Sequence, residues 1–204
     1  GPVGLNRVFV EFPPAPANAT APKGFSMDQW LERLRQGHTF ATNGPLLRFS
    51  LNNQPIGSDI KMAAPQSLRF TASLRSIVPI DHLELVCNGQ VVQALKLAGG
   101  KTSVDAFGTA SITRSGWCAL RAWAEKAEYP VLDIYAYATT SPIYVTVAGK
   151  PASSPEDAKY FLAWLERLAE NARNHAGYNS AAEKYAVLKH IEDARAIYQA
   201  KAAQ

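Results

Sequence analysis

The residue pattern predicts a mainly β protein with added α: an antiparallel β-sandwich, Ig-like or jelly-roll-like, followed by a C-terminal antiparallel helical hairpin. Three observations carry that expectation. Short segments in which apolar and polar residues alternate recur from Leu46 to Val147, as half-buried strands require, because successive side chains leave a strand on opposite faces. Glycine, proline and asparagine punctuate these segments at short intervals. After Gly149 the apolar period changes from two to that of a helix.

The opening Leu5-Asn6-Arg7-Val8-Phe9-Val10-Glu11-Phe12 is rich in β-formers and stops at Pro13-Pro14, after which Pro, Ala and Asn dominate to Gly24. Asn18-Ala19-Thr20 in that loop matches a glycosylation acceptor, a triplet that also arises by chance. Ser26 and Gln29 have capping-box spacing, and Phe25 is placed to staple onto the first turn. Trp30, Leu31 and Leu34 then share a helical face that Gly37 ends. His38 to Thr42 reads as extended and meets the turn signal Asn43-Gly44-Pro45. Residues 1–45 therefore form a leading strand, loop and short helix.

From residue 46 to 149 the sandwich is expected. Leu47, Phe49 and Leu51 alternate with Leu46, Arg48 and Ser50, and Asn52-Asn53 makes a turn. Leu68, Phe70 and Ala72 repeat the rhythm, as do Leu83, Leu85 and Cys87. Asn88-Gly89 joins the last of these to Val91-Val92-Gln93-Ala94-Leu95, a hairpin signal because both central residues of the favoured turn need positive φ. Later strands are expected around residues 109–113, 117–124, 134–138 and 143–147, and about seven or eight short strands at this spacing suit a sandwich or barrel.

Residues 150–204 form the helical hairpin, expected to pack on the sandwich. Ser154-Pro155-Glu156-Asp157 supplies an N-cap, proline at the first helical position and acids beside the exposed amides. Phe161, Trp164, Leu165 and Leu168 form one stripe. Gly177 breaks this helix, and Ser180 with Glu183 makes a capping box ahead of Tyr185, Leu188, Ile191, Ala194, Ile197 and Tyr198. Both stripes need a partner surface.

Composition narrows the function. At 204 residues, 47% hydrophobic and 19% charged, the chain can bury a core and lacks the signature of disorder. Its +4 formal charge comes from 21 Lys+Arg against 17 Asp+Glu. These are interspersed, with no basic run to track phosphates, so nucleic acid is not an expected partner. No apolar stretch reaches the roughly 20 residues that cross a bilayer, so no membrane partner is expected either. The N-terminal residues show no charged segment followed by an apolar one, so a leader of any exported parent is expected outside this sequence; a soluble chain is expected, with the periplasm or the exterior among the compartments left open. Cys87 and Cys118 are too few for a disulfide framework or a four-ligand zinc site; a pair of buried thiols is the favoured state and a single disulfide the alternative.

His38, His82, His175 and His190 occur in none of the spacings that converge on a metal, and read as surface or capping residues. Nucleophile-elbow, phosphate-loop and dinucleotide glycine motifs are absent from the sequence. Asp81, Glu84, Asp105, Glu125 and Asp133 lie in or beside the β region and could pair for acid–base work, although isolated acids flanking strands are usually solvated. Trp117 and Trp123 share strand parity, as do Tyr135 and Tyr137. Exposed, they would form an aromatic platform for sugar rings or bases; the favoured reading packs them between the sheets or beneath the hairpin, because large apolar rings are mostly buried.

The stretch Asp28-Gln29-Trp30-Leu31-Glu32-Arg33-Leu34-Arg35-Gln36-Gly37-His38-Thr39-Phe40-Ala41-Thr42-Asn43-Gly44-Pro45-Leu46-Leu47 resembles the C-terminal region of PHP-type metal-dependent hydrolases of the carbaryl-hydrolase-like (CehA/McbA-like) branch. Gly4-Leu5-Asn6-Arg7-Val8-Phe9-Val10, Leu83-Glu84-Leu85-Val86-Cys87-Asn88-Gly89 and Ala138-Thr139-Thr140-Ser141-Pro142-Ile143-Tyr144-Val145 are similar as well. The resemblance implies a catalytic β/α barrel preceding these residues, in which metal-activated water attacks an ester, carbamate or phosphoester bond. The clustered ligands of that barrel have no counterpart here. The resemblance therefore implies a non-catalytic accessory domain, with no cofactor in this chain and a divalent metal only in the parent barrel. Its partners would be that barrel or a second copy. Asn43, on the tight turn, is the foremost candidate to reach a neighbouring active-site rim, with Asn6 and Arg7 behind it; the plainer alternative is that Asn43 makes the turn and Arg7 a surface pair. A carbohydrate- or cell-surface-binding module using Trp117, Trp123, Tyr135 and Tyr137 is the second reading, and a free-standing hydrolase the third.

Overall fold

The computed structural model describes residues 5–13, 26–131 and 134–204; the Asn18-Ala19-Thr20 triplet, the Phe25 staple and Asp133 lie outside them. In chain order the elements are β1 (Arg7–Val10), α1 (Met27–Arg35), β2 (Thr39–Thr42), β3 (Leu46–Leu51), β4 (Gln54–Pro55), β5 (Asp59–Met62), β6 (Gln66–Arg75), β7 (His82–Cys87), β8 (Gln90–Ala94), β9 (Ser103–Ile112), β10 (Gly116–Trp123), β11 (Tyr137–Thr140), β12 (Ile143–Val147), α2 (Pro155–Asn174) and α3 (Ala181–Ala202). The chain divides into a β unit, Gly1–Pro151, and a helical unit, Ala152–Gln204. The protein is thus mainly β with two C-terminal helices.

The β unit has two sheets. The smaller runs β4-β3-β6-β9, antiparallel throughout. In the larger, β10 is central: β7 occupies one of its edges and carries β8 beyond it, while β11 and β12 lie end to end along the other. Outside β11 come β2 and β1, so the first 45 residues contribute two strands to this sheet. Outside β12 lies β5, in parallel, the exception to the antiparallel expectation. The inward residues of both sheets form one core, including Leu51, Phe70, Leu74, Leu83, Leu85, Leu120 and Ile143.

The alternation read along the chain translates directly into burial. Leu47, Phe49 and Leu51 are inside while Leu46 and Arg48 face water. Asn88 and Gly89 adopt φ of 50° and 79° and close the β7–β8 hairpin. Gly108 follows from close packing: a Cβ there would stand 2.9 Å from the Phe70 ring carried by the neighbouring strand.

Three features differ from expectation. Cys87 and Cys118 are joined in a disulfide, where separate buried thiols were favoured. Their register explains it: Asn88 N–H bonds to the Trp117 carbonyl, so the next pair inward, Cys87 opposite Cys118, is a close non-hydrogen-bonded one with Cα atoms 4.1 Å apart. Twelve strands form among the described residues, more than the seven or eight expected, because β1 and β2 join the larger sheet and β4 and β5 are too short to show a period. The strand expected over 134–138 is displaced to Tyr137–Thr140.

Within the helical unit, Ser180 caps α3 by accepting from Glu183 N–H at 3.1 Å, and Glu183 accepts in return from Asn179 N–H at 2.8 Å. The helices meet through Ala169, Ala172 and Ile191, flanked by Leu165 and Leu188. Small alanines let the helix backbones approach; Phe161, Trp164 and Leu168, expected to be the contact stripe, stay exposed.

At the break between β11 and β12, β10 loses its regular neighbour, and the Thr140 hydroxyl accepts from Leu120 N–H at 3.0 Å, both groups being buried. Thr140→Val keeps the shape and removes the acceptor. It is expected to cost about 1–3 kcal/mol in urea unfolding, with Thr140→Ser close to the parent.

Candidate functional site

The turn from the larger sheet to the smaller is built by its own side chains. Thr42 Oγ1 donates to the Pro45 carbonyl at 2.6 Å and accepts from Gly44 N–H at 2.9 Å. This fixes the backbone that presents Asn43, which is 6% exposed. Its Nδ2 donates to the Tyr135 carbonyl at 2.9 Å and its Oδ1 accepts from Tyr137 N–H at 2.7 Å. Its own N–H donates to the Tyr137 carbonyl at 3.1 Å. Asn43 thereby acts as an extra strand residue, clamping the approach to β11.

Beside this clamp lies an open cleft of about 390 Å³, within the size of ligand-binding concavities. Asn6, just before the first strand, and Arg7 and Val8 of that strand line one part of it and Ile134, Tyr135 and Tyr137 another, with Asn43 also in the lining. The three rim candidates and two of the four aromatic candidates are therefore brought together. Asn43 spends both ends of its amide on the Tyr135–Tyr137 backbone, so its direct role is to hold those residues in place. The signal for that lies in pairing between positions over 90 apart, which no local pattern carries.

The remaining aromatics sit on the same outer face of the larger sheet. Cys118, Leu120 and Ala122 of β10 enter the core, so Trp117, Ala119, Arg121 and Trp123 point outward. Trp123 is opposite Tyr137 on one side and His82 on the other. The His82 ring stacks on it at 3.8 Å and 10°. Trp117 stands six residues away, about 20 Å along the strand, opposite Tyr144. The Tyr135 and Tyr137 rings meet at 84°. The rings lie on an open face, not between the sheets; they share no single plane, and one face of Trp123 is covered.

The candidate acids among the described residues, Asp81, Glu84, Asp105 and Glu125, are committed to partners. Glu84 Oε2 accepts from Arg121 Nε at 2.6 Å and Trp123 Nε1 at 3.4 Å. Asp105 pairs with Arg75 at 2.7 Å, and Glu125 with His82 at 3.1 Å. Asp81 accepts from Glu125 N–H at 2.9 Å and Lys101 Nζ at 2.8 Å. Those bonds, the backbone one foremost, hold its carboxyl below the usual aspartate range. His38 Nδ1 lies 2.6 Å from the Ile56 carbonyl and His190 Nδ1 2.8 Å from that of Ala186. Among the described residues no three or more His, Cys, Asp or Glu side chains group to hold a metal ion. The lining of the cleft combines apolar and aromatic side chains with the polar Asn6, Arg7 and Asn43. Comparison with protein-family models, curated proteins and solved structures finds no match to this chain.

Asn43→Ala leaves the Tyr135 carbonyl and Tyr137 N–H without their side-chain partners; it is expected to cost about 1–3 kcal/mol and to weaken the near-ultraviolet dichroism of the tyrosines. A depressed carboxyl such as Asp81 stabilises the fold above its unfolded pKa and loses that contribution as pH falls through the folded value. The stability difference between the parent and Asp81→Asn is therefore expected at neutral pH and to shrink on acidification below the aspartate range, read by urea titrations across pH.

Proposed function

We propose that this chain is a non-catalytic accessory region of a PHP-type metal-dependent hydrolase, packing against a catalytic barrel and shaping its rim. The observation that carries the reading is the concentration of exposed apolar side chains in the first 45 residues. Val8, Phe9 and Phe12 around β1, and Met27, Leu31 and Leu34 on α1, are all open to solvent. Arg33 ties α1 to that region by donating to the Glu11 carbonyl and lying over the Phe12 ring at 5.7 Å. Apolar patches rimmed by polar groups are the usual mark of a protein contact. The cleft with Asn6, Arg7 and Tyr135 adjoins β1, where it would complete the rim of a neighbouring site.

The sandwich is Ig-like in this reading. The orders β3-β6-β9 and β5-β12-β10-β7-β8 support it, since their strand sequence matches the order of strands in the two sheets of an immunoglobulin domain. The disulfide joins neighbouring strands of one sheet and so departs from the inter-sheet bridge of antibody domains. The helical pair is an antiparallel hairpin: contacts of Phe161 with Tyr198, Glu166 with Arg195 and Lys184 with Arg173 step in opposite directions along α2 and α3.

A carbohydrate-binding module is the second reading, favoured by the exposed Tyr135 and Tyr137 beside the cleft and opposed by their perpendicular rings. Calorimetry of the purified chain with zinc and with manganese tests the first. No stoichiometric binding is expected; tight binding by carboxylate or imidazole ligands would make a self-contained hydrolase the better account. Retardation in polysaccharide gels, lost on Tyr135→Ala, would move the second reading ahead of the first.

A further inference from the structure

Strand β9 is the edge of the smaller sheet, ten residues long and paired only to β6. Natural edges are shortened, bulged, or guarded by proline or lysine, because their free amides and carbonyls invite another strand. The other edges described are short or guarded: β1 has four residues, β4 has two and ends in Pro55, β5 has four and contains Lys61, and the β7–β8 ladder is bulged at Leu85/Val86. β9, Ser-Val-Asp-Ala-Phe-Gly-Thr-Ala-Ser-Ile, has neither proline nor lysine. At its middle Phe107 is 87% exposed, against the rule that large apolar rings are covered.

The hydrogen-bond phase of this edge is determined. Ser76 N–H bonds to the Thr102 carbonyl in register with the β6–β9 ladder. Antiparallel pairs alternate between bonded and non-bonded, so the even residues of β9 bond inward to β6. The odd residues, Ser103, Asp105, Phe107, Thr109 and Ser111, turn their amides and carbonyls outward. Their five positions are symmetric about Phe107.

We propose that two copies of this chain pair antiparallel through β9 about a two-fold axis at Phe107, continuing the smaller sheet from one copy into the other. In that register every outward amide of the run finds a carbonyl. Phe107 meets Phe107 of the second copy across the strands, an aromatic pairing that antiparallel sheets favour. Asp105 falls opposite the second copy's Thr109 and not opposite its Asp105, so like charges do not face each other. Thr109 is itself beside Arg69 on β6, and the Arg69 guanidinium has no hydrogen-bond or ion-pair partner among the described residues. Each Asp105, which already pairs with Arg75 of its own chain, is thus also placed in one cross-sheet row with the other copy's Arg69 guanidinium. Charge and aromatic placement select a second copy over an arbitrary extended peptide, and the isologous contact closes at two.

A single-edge contact is small, so the dimer is weak and is sought by sedimentation equilibrium from about 5 to 500 µM. The mass is expected to rise from 22.1 kDa toward twice that value. Thr109→Pro, which removes an outward amide and leaves the β6 ladder intact, and Phe107→Lys are each expected to abolish the rise, while Val91→Lys on the β8 edge leaves it. On the unaltered chain, hydrogen exchange at the five odd amides is expected to slow in proportion to the paired fraction. A mass that stays at one chain over the whole range, or a dimer whose newly protected amides lie on another element, overturns the proposal.

Discussion

The fold hangs on the need of β10 to satisfy both of its backbone edges at once. One edge is simple, since β7 runs along it in register from His82 to Cys87. The other is divided between β11 and β12, and the gap between them is closed by the Thr140 hydroxyl on Leu120 N–H. Leaving that buried amide open would cost more than a typical hydrogen bond contributes. The same division lets two different neighbours join the sheet: β2 with β1 beside the first half, β5 beside the second. The cleft, the aromatic row and the N-terminal apolar surface all follow from that forked arrangement, because β1 and the 134–137 approach to β11 are its lining.

The molecule therefore sorts its surfaces by element. The larger sheet turns outward a face of rings and paired charges, His82 on Trp123 and Glu84 on Arg121, that is ordered without being flat. The outward face of the smaller sheet is mostly serine, threonine and arginine: Arg48, Ser50, Arg69, Thr71 and Ser73. It is broken by Phe107 at the rim. The helical unit, joined by alanines, leaves its larger rings outside. Exposed apolar side chains occur at the first strand and helix, at the β9 edge and on the helix pair, as well as on the outward face of the larger sheet and in connections such as those of Ile77 and Tyr129.

Legibility followed range. Leu47, Phe49 and Leu51, or Leu83 and Leu85, are a local code, and each entered the core as its parity required. Asn88-Gly89 and Ser180 with Glu183 are local too, and both formed their turn and cap. Strands β4 and β5 escaped because two or four residues hold no period, and β5 gains its place from β12, far along the chain. The disulfide was open in the sequence because pairing depends on strand register between residues 31 apart. The site was half legible: Asn6, Arg7, Asn43, Tyr135 and Tyr137 could be singled out by type and position, but their meeting in one cleft comes from long-range pairing. Likewise α1 showed its apolar face in advance, while the fact that Leu31 and Leu34 stay uncovered belongs to the tertiary structure alone.

The bond between Cys87 and Cys118 closes a covalent loop around β8 and β9, with Lys96 and Lys101 in the connection between them. A protease acting at either lysine would open the backbone without dividing the molecule. The severed ends would remain anchored to the paired strands β7 and β10 at the centre of the larger sheet, and the two fragments would separate only after reduction. Under oxidising conditions this exposed connection is thus a place where the chain can be nicked and still travel as one body.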